Sequence, residues 1–329
     1  MDKEKINMHK YSIGIDLGGT KILTAIVNKT TGEVVSSIKK KTKKDKGQDK
    51  IIQKIIKSVL EVFEDSNLTL KDIDDIGLGA AGQIDRENGI ILNAPNLDFS
   101  NINIRKILED EFSKPILLGN DVEIATIGEM YFGAGRNEKD YVCIFVGTGI
   151  GSGIVQNGKL RYGTTGTAGE IGHIIVDVGG RPCGCGGCGC LEAYASRLAI
   201  EKRIIGSLKK GRKSDIENYL VEGKPIKTSM IKKSLDNKDE LVLQIINEAS
   251  EYLASGLASI INFYNPAKII LGGGLMNAID YFYTRSTEIA KIKSLPTPAV
   301  AINFEKAKLG DFSGVIGAAL LSKYRAELC

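Results

Sequence analysis

One pattern occurs twice in this sequence and restricts its fold more than any other feature. Each copy has a strand rich in β-branched residues, a glycine-rich turn and a second strand: YSIGIDLGGTKILTAIVN from residue 11 and YVCIFVGTGIGSGIVQNG from residue 141. Two such units about 130 residues apart predict a duplicated α/β architecture, with two domains and a cleft between them. A third strand with a glycine turn, KIILGGGL, lies nearer the end of the chain.

The segments around these turns also fit α/β domains. Apolar residues at helical spacing over residues 51–63 predict a helix whose stripe belongs to a core. A longer helix is expected over residues 241–263, ended by Asn265 and Pro266. We expect further strands in EVVSSIKK, IGLGAAG and PILLGND, and a single small-residue helix in GVIGAALLSKY.

Composition excludes several classes of function. A formal charge of +4 on 329 residues favours neither a nucleic-acid binder nor an acidic tail protein. The lysine-rich stretch KKTKKDKGQDK has no interleaved aromatic residues, so we interpret it as a solvated loop. The N-terminus has no apolar signal core and no run of about eighteen apolar residues occurs, which predicts neither export nor a membrane span. The expected location is the cytoplasm.

Four cysteines crowd into RPCGCGGCGCLE, between Arg181 and Glu192. Cytoplasmic thiols stay reduced, so a cluster of this kind more often binds metal than forms disulfides. His173 is the only histidine beyond the N-terminal segment, and thiolates with an imidazole suit a structural, tetrahedral zinc site. Five candidate ligands compete for four places, and their spacing does not decide which thiol is left out. A redox-active or simply packed cluster is the alternative.

The glycine turns suggest phosphate binding, because backbone amides without a Cβ approach phosphate oxygens closely. Each turn alone is also an ordinary hairpin connection. The common nucleotide fingerprints are not met. The glycines from Gly147 to Gly153 alternate strictly, and Lys21 follows Thr20, whereas a P-loop requires the reverse order.

Six ordered motifs resemble one protein family: IDLGGTK, GND, FVGTGIGSG, GEIGH, CGCGGCGCLE and ILGGG. From about residue 11 to its end, the chain resembles the bacterial sugar kinases of the repressor, open reading frame and kinase (ROK) family, and most of all their glucokinases. The resemblance implies the actin-like, hexokinase-like (ribonuclease H-like) fold. It predicts a smaller N-terminal α/β domain over residues 1–120, joined by a C-terminal helix at about 312–329. The larger domain, 121–311, would carry a zinc knuckle at 173–190.

The resemblance implies ATP-dependent phosphorylation of glucose to glucose 6-phosphate, with Mg²⁺ and a structural Zn²⁺. The alternative is the same reaction on N-acetylmannosamine, N-acetylglucosamine, mannose or fructose. A non-catalytic, sugar-sensing regulator is the more remote alternative, because related repressors carry a helix-turn-helix domain before the first glycine motif, and only ten residues precede Tyr11 here. The partners implied are a sugar and a nucleotide, and the family implies a homodimer or homotetramer.

The resemblance also assigns residues to roles. Asp121 matches the general base, although its local sequence alone is typical of a helix N-cap. Four residues match sugar-binding positions, and two more are weaker candidates that also suit plain turns: Asn120, Glu170, His173 and Glu192, then Gly82 and Asn96. For Glu192, a helix N-terminal carboxylate is the alternative interpretation.

The remaining assignments concern metal and nucleotide. The family's zinc ligands match His173, Cys183, Cys185 and Cys190, which leaves Cys188 outside; Cys143 and Cys329 receive no role. Asp16 is expected to orient magnesium through water, and Lys21 to add positive charge. The nucleotide would be held by these two residues and three glycine turns: Gly18, Gly19 and Thr20; Gly147, Thr148 and Gly149; Gly272, Gly273 and Gly274.

Overall fold

The computed structural model describes residues 10–42, 47–221 and 223–328. Residues 43–46 of the lysine-rich loop lie outside the described residues, as do the N-terminal segment up to residue 9 and Cys329. The chain divides into two compact units. One contains the residues up to Asn137 and those from Asp311 onward, and the other is Glu138–Gly310.

The described residues form these strands: β1 (Tyr11–Leu17), β2 (Lys21–Asn28), β3 (Val34–Lys41), β4 (Ile73–Ala80), β5 (Gln83–Asp85), β6 (Ile90–Ala94), β7 (Phe99–Asn103), β8 (Ile116–Asn120), β9 (Tyr141–Val146), β10 (Ile150–Gln156), β11 (Lys159–Leu160), β12 (Lys268–Gly272) and β13 (Asn303–Lys306).

The helices of the same residues are α1 (Gln48–Glu61), α2 (Ile104–Phe112), α3 (Asp121–Phe132), α4 (Glu192–Ala195), α5 (Arg197–Lys209), α6 (Thr228–Asp236), α7 (Glu240–Tyr264), α8 (Gly274–Ala278), α9 (Asp280–Lys293), α10 (Pro296–Ala301), α11 (Ser313–Ala319) and α12 (Leu321–Ala326). Short 3-10 helices lie at Leu70–Asp72, Ile171–His173, Asp215–Tyr219 and Gly310–Phe312. None of the described helices is long and apolar enough to span a bilayer.

The two units contain sheets of the same design. In the first unit the strand order is β3-β2-β1-β4-β8, and in the second it is β11-β10-β9-β12-β13. Each sheet begins with antiparallel hairpins. It continues with parallel pairs, β1 with β4 and β4 with β8 in one sheet, and β9 with β12 and β12 with β13 in the other. The predicted duplication is therefore confirmed in strand order and in strand direction. The first unit adds a small antiparallel sheet, β5-β6-β7.

Each unit has its own apolar core, formed by the stripes that the sequence predicts. Helix α1 buries Ile51, Ile55 and Val59 in the first unit. Helix α7 crosses the core of the second unit and ends at Asn265, whose left-handed backbone conformation (φ 50°) precedes a proline. Both helices were predicted with nearly these bounds.

Two details differ from the sequence prediction. The C-terminal segment forms two helices, because the N–H of Leu320 bonds the carbonyl of Gly317 in a tighter turn and interrupts the helix there. Helix α3 belongs to the first unit, because it packs on α11: a Cβ on Gly317 would lie 1.6 Å from the carbonyl oxygen of Ile124. The second unit therefore begins at Glu138 and not at residue 121.

Helix α11 lies directly on the sheet of the first unit. Because the contact is so close, we expect one added methyl group to lower the free energy of unfolding strongly. In Gly77→Ala, the new Cβ would lie 1.8 Å from the carbonyl oxygen of Ala318, so the helix must shift. We expect a loss of about 2–3 kcal/mol or more in the free energy of unfolding, measured by urea denaturation of the full chain.

Gly206→Ala in α5 is the matched control, because no described atom outside the adjacent residues and the backbone of α5 lies within 4 Å of its added Cβ. This change should stabilise the protein by up to about 1 kcal/mol through helix propensity. Equal stabilities of the two variants would contradict the close approach of α11 to the sheet.

Candidate functional site

Most of the first unit's candidate residues follow the carboxyl ends of three adjacent parallel strands. Asp16 of β1 pairs with Gly79 of β4, and Ala80 of β4 pairs with Asn120 of β8. Because parallel strands end at the same edge of a sheet, the turn after β1, the turn after β4 and the start of α3 lie side by side. The structure thus brings together residues that are about 100 positions apart in the chain.

The two weaker candidates, Gly82 and Asn96, lie at this same edge. The side-chain amide of Asn120 donates to the carbonyl of Gly82 over 3.1 Å. A Cβ on Gly19 would come within 3.0 Å of the Asn96 Cβ, so the first glycine turn packs directly on that asparagine. Gly82 is also a necessary turn glycine, because its φ is 123° and a Cβ there would meet the carbonyl oxygen of Asn93 at 2.3 Å.

At the start of α3, the residue that caps the helix is not the candidate base. Asn120 is the N-cap, and its side-chain oxygen accepts the N–H of Val122 over 2.9 Å. Glu123 completes a capping box by accepting the N–H of Asn120 over 3.1 Å. Asp121 is the first helical residue, and its Oδ1 accepts from Val122 over 3.0 Å. The alternative that Asp121 is the N-cap is therefore wrong.

Acidic groups concentrate around Asp16. Burial raises the pKa of its carboxyl group from 3.8 to about 6; the charge of Lys21 opposes this shift, and the charges of Asp121 and Asp311 add to it. Asp311 is a residue that the sequence analysis missed. Its Oδ1 lies 3.5 Å from Nζ of Lys21, although nothing in the local sequence around Asp311 indicates this contact.

Two glycine turns of the second unit lie side by side, as in the first. The turn between β9 and β10 is closed by the N–H of Gly147, which donates to the carbonyl of Gly149 over 2.9 Å. Strand β12 runs parallel to β9, so its turn begins next to this one. At Gly273, φ is 93° and a Cβ would lie 2.5 Å from the carbonyl oxygen of Val146, so only glycine fits without strain.

Glu192 contacts the first of these turns. Its Oε2 accepts the N–H of Ile150 over 2.8 Å, and a Cβ on Gly149 would lie 2.3 Å from the same oxygen. The segment with Glu170 and His173 packs on the same strand, because a Cβ on Gly172 would lie 2.3 Å from the carbonyl oxygen of Ile150. Glu192 and the segment that contains Glu170 and His173 therefore both contact the start of β10.

Four of the five candidate metal ligands converge in the second unit. The ligand atoms of the group lie within 4.8 Å of one another, and its members are His173, Cys183, Cys185 and Cys190. The contacts between Sγ of Cys183 and Nδ1 of the histidine, and between Sγ of Cys185 and Sγ of Cys190, are each 3.7 Å. Tetrahedral zinc with Zn–S bonds of about 2.3 Å requires sulfur atoms about 3.8 Å apart.

The surroundings of these thiols also suit a cation. The backbone amide of Gly187 lowers the pKa of Cys185 and so favours its thiolate. Burial raises the pKa of Cys190 to about 12, so a thiolate at that position needs a positive partner. Cys188 is exposed and lies outside the group found among the described residues. The site is compatible with zinc held by one imidazole and three thiolates.

Known proteins resemble the chain over nearly its whole length. Residues 12–325 match the family model described as the ROK family. A glucokinase of Halalkalibacterium halodurans is 33% identical over 315 residues, which are 95% of this chain and 95% of that protein. A xylose repressor of Caldicellulosiruptor bescii is 29% identical over 93% of this chain and 76% of the repressor.

Solved structures are also similar. A ROK family glucokinase from Streptomyces griseus, in complex with glucose and AMPPNP, superposes with a TM-score of 0.81 at 30% identity, covering 94% of this chain and 98% of that chain. The predicted actin-like, hexokinase-like fold is confirmed.

The raised pKa of Asp16 predicts how stability depends on pH. Between about pH 4 and 6 the folded protein binds the Asp16 proton more tightly than the unfolded chain does. The cost of the buried charge is therefore complete above pH 6 and disappears towards pH 4. We expect Asp16→Asn to raise the free energy of unfolding by up to about 3 kcal/mol at pH 7.5.

Urea denaturation of the two proteins at pH 7.5 and pH 4.5 measures this effect. The gain from the substitution should shrink at the lower pH. A gain that is equal at both values, or a loss at pH 7.5, would contradict a charged, half-buried Asp16 with a raised pKa.

Proposed function

This chain belongs to the ROK family, and we propose that it is a glucokinase that transfers the γ-phosphoryl group of ATP to glucose. The observation that carries this proposal is the position of Asp121, at the strand edge where the family's base is expected. The similarity to bacterial glucokinases over 95% of the chain supports the choice of reaction and of sugar. Phosphoryl transfer requires mainly that the reacting groups are positioned and that the charge on the phosphate is stabilised, and the site residues suit that task.

Asp121 would accept the proton of the attacking sugar hydroxyl. Its carboxylate is half-buried, and the N–H of Val122 holds one oxygen, which limits the directions in which it can point. The neighbouring Asn120 is already held by Val122 and Gly82, so its amide is positioned before sugar binds. Asn120 would therefore orient the hydroxyl without a large loss of side-chain entropy.

In the second unit, Glu170, His173 and Glu192 would bind sugar hydroxyls. In this role, His173 would bind the metal through Nδ1, the nitrogen that lies 3.7 Å from Cys183. Its Nε2 would then carry the proton and could donate to a sugar oxygen. The metal would thus select the tautomer that the sugar needs.

The glycine turns at Gly18, Gly147 and Gly272 would each offer backbone amides to phosphate oxygens, and Lys21 would add positive charge. The acidic surroundings of Asp16 fit a hard cation with oxygen ligands, and magnesium would supply charge neutralisation on the phosphates when bound with ATP. Asp16 would hold that cation through water. A cytoplasmic location and a homo-oligomeric state remain predictions from the sequence.

We further propose that the metal of the cysteine cluster is zinc and that its role is structural. The donor set of one imidazole and three thiolates, with one sulfur–sulfur contact of 3.7 Å, supports this assignment. Cys190 lies two residues before Glu192, so a metal bound there would order a sugar-binding residue and the turn that it contacts. Removal of the metal should weaken sugar binding and stability together.

Serine substitutions test the ligand set. We expect Cys188→Ser to keep one zinc per chain and Cys185→Ser to lose it, because only Cys185 belongs to the four-residue group. Elemental analysis of the purified proteins measures this. Loss of metal from the Cys188 variant, or full retention by the Cys185 variant, would refute the assignment.

Turnover with a panel of sugars tests the reaction. ATP, magnesium and glucose, mannose, fructose, N-acetylglucosamine or N-acetylmannosamine would be supplied, with a no-sugar control. We expect preference for glucose, and a loss of about a thousandfold in kcat in Asp121→Asn, because asparagine keeps an acceptor for Val122 but cannot take the proton.

Asp110→Asn is the control, because Asp110 is an exposed carboxylate on α2 that pairs with Lys106. It should turn over like the wild type. Near-normal turnover of Asp121→Asn would remove Asp121 from the role of base. Preference for another sugar would keep the proposed mechanism and change the substrate. Absence of turnover with every sugar would refute the proposed ATP-dependent kinase activity.

A further inference from the structure

Arg197, which the sequence analysis did not single out, contacts the glycine turn between β9 and β10 in two ways. It is the first residue of α5, and Ser196 caps that helix by accepting the N–H of Ala199 over 3.1 Å. The backbone N–H of Arg197 donates to the carbonyl of Gly147 over 2.9 Å. Its guanidinium donates to Oγ1 of Thr148 over 3.3 Å, at the exposed tip of the turn.

The guanidinium is fixed from its other side by a shielded carboxylate. Nη1 lies 2.9 Å from Oε2 of Glu201, one helical turn away, and 3.1 Å from the carbonyl oxygen of Ile226. The other oxygen of Glu201 accepts the N–H of Ile226 over 2.8 Å. The side chain of Glu201 is 8% exposed and that of Arg197 is 19% exposed, so water competes little for this pair. The second amino group is thereby directed at Thr148.

This arrangement decides the direction of the hydrogen bond at Thr148. Arginine has donors and no acceptor, so the hydroxyl oxygen of Thr148 must accept. The hydroxyl has a single hydrogen, which is then left to donate elsewhere. An exposed donor at a glycine turn, beside a fixed positive charge, matches the oxygens of a phosphate chain.

We propose that Arg197 is a positioning residue of the phosphate site, which fixes the Thr148 hydroxyl as a donor to the triphosphate of the nucleotide and adds a charge beside it. This inference rests on the proposed function, and it extends the phosphate site to a residue outside the glycine motifs. The other role open to Arg197 is purely structural, as a tie between α5 and the turn. The backbone bond to Gly147 supplies that tie with any side chain, so substitutions of the side chain separate the two roles.

Arg197→Met and Arg197→Lys test the proposal in the full chain. Methionine keeps the apolar stem and removes the charge. Lysine keeps the charge but lacks the planar guanidinium with its fixed set of donors. Calorimetry would measure the affinity for inorganic tripolyphosphate and for glucose separately, and steady-state kinetics would give KM for ATP and kcat. Arg203→Met, on the same helix and paired with Glu248, is the control.

We expect Arg197→Met to weaken tripolyphosphate binding by about 10-fold to 100-fold and to raise KM for ATP in parallel, with glucose affinity close to the wild type. The melting temperature should fall, because Glu201 keeps a shielded charge without its partner. Arg197→Lys should lose less, and Arg203→Met should lose nothing. In a Thr148→Val background, Arg197→Met should have a smaller effect, because the hydroxyl that it positions is absent.

Unchanged tripolyphosphate binding in a folded Arg197→Met would overturn the proposal. An equal loss of glucose affinity and phosphate affinity in both Arg197 variants would also overturn it, in favour of the structural tie. Full additivity with Thr148→Val would remove the positioning role. Because tripolyphosphate binding is measured without sugar, these outcomes are independent of whether glucose is the substrate.

Discussion

Parallel pairing of adjacent strands is the constraint on which the rest of this structure depends. In each five-stranded sheet the first strand of the repeated unit has a parallel neighbour, so chain segments far apart in sequence end at the same edge. This brings Asp16, Gly82 and Asn120 together in the first unit, and the turns at Gly147 and Gly273 in the second. The backbone hydrogen bonds that build the sheets thus also assemble the candidate site, before any ligand contributes.

A short segment of the chain connects the cysteine cluster to the glycine turn between β9 and β10. Glu192 and Arg197 follow Cys190 within seven residues. Glu192 accepts the N–H of Ile150 on one side of the turn, and Arg197 holds Gly147 and Thr148 on the other. A metal that fixes Cys190 would restrict both contacts, because the intervening chain is short. The proposed sugar-binding and phosphate-binding groups would then depend on one ordered segment.

The sequence predicted more of the fold than of the site. Strand and helix positions follow from hydrophobic periodicity, so α1 and α7 were placed nearly as observed, whereas the interruption at Leu320 depends on a local turn that periodicity does not indicate. Candidate residues were found where they belong to glycine or cysteine motifs. Asp311 and Arg197 were missed because neither belongs to such a motif, and the contacts that connect them to Lys21 and Thr148 join residues distant in the chain.

The sequence by itself determined the duplicated α/β design, the family and the set of residue types able to bind metal, sugar and phosphate, because these are properties of local patterns and of ordered motifs. Only the tertiary structure decided that Asn120 and not Asp121 caps α3, that four of the five possible ligands converge, and that Glu192 and Arg197 hold one turn from two sides. These outcomes depend on distances of about 3–4 Å between groups from separate elements, and packing sets such distances.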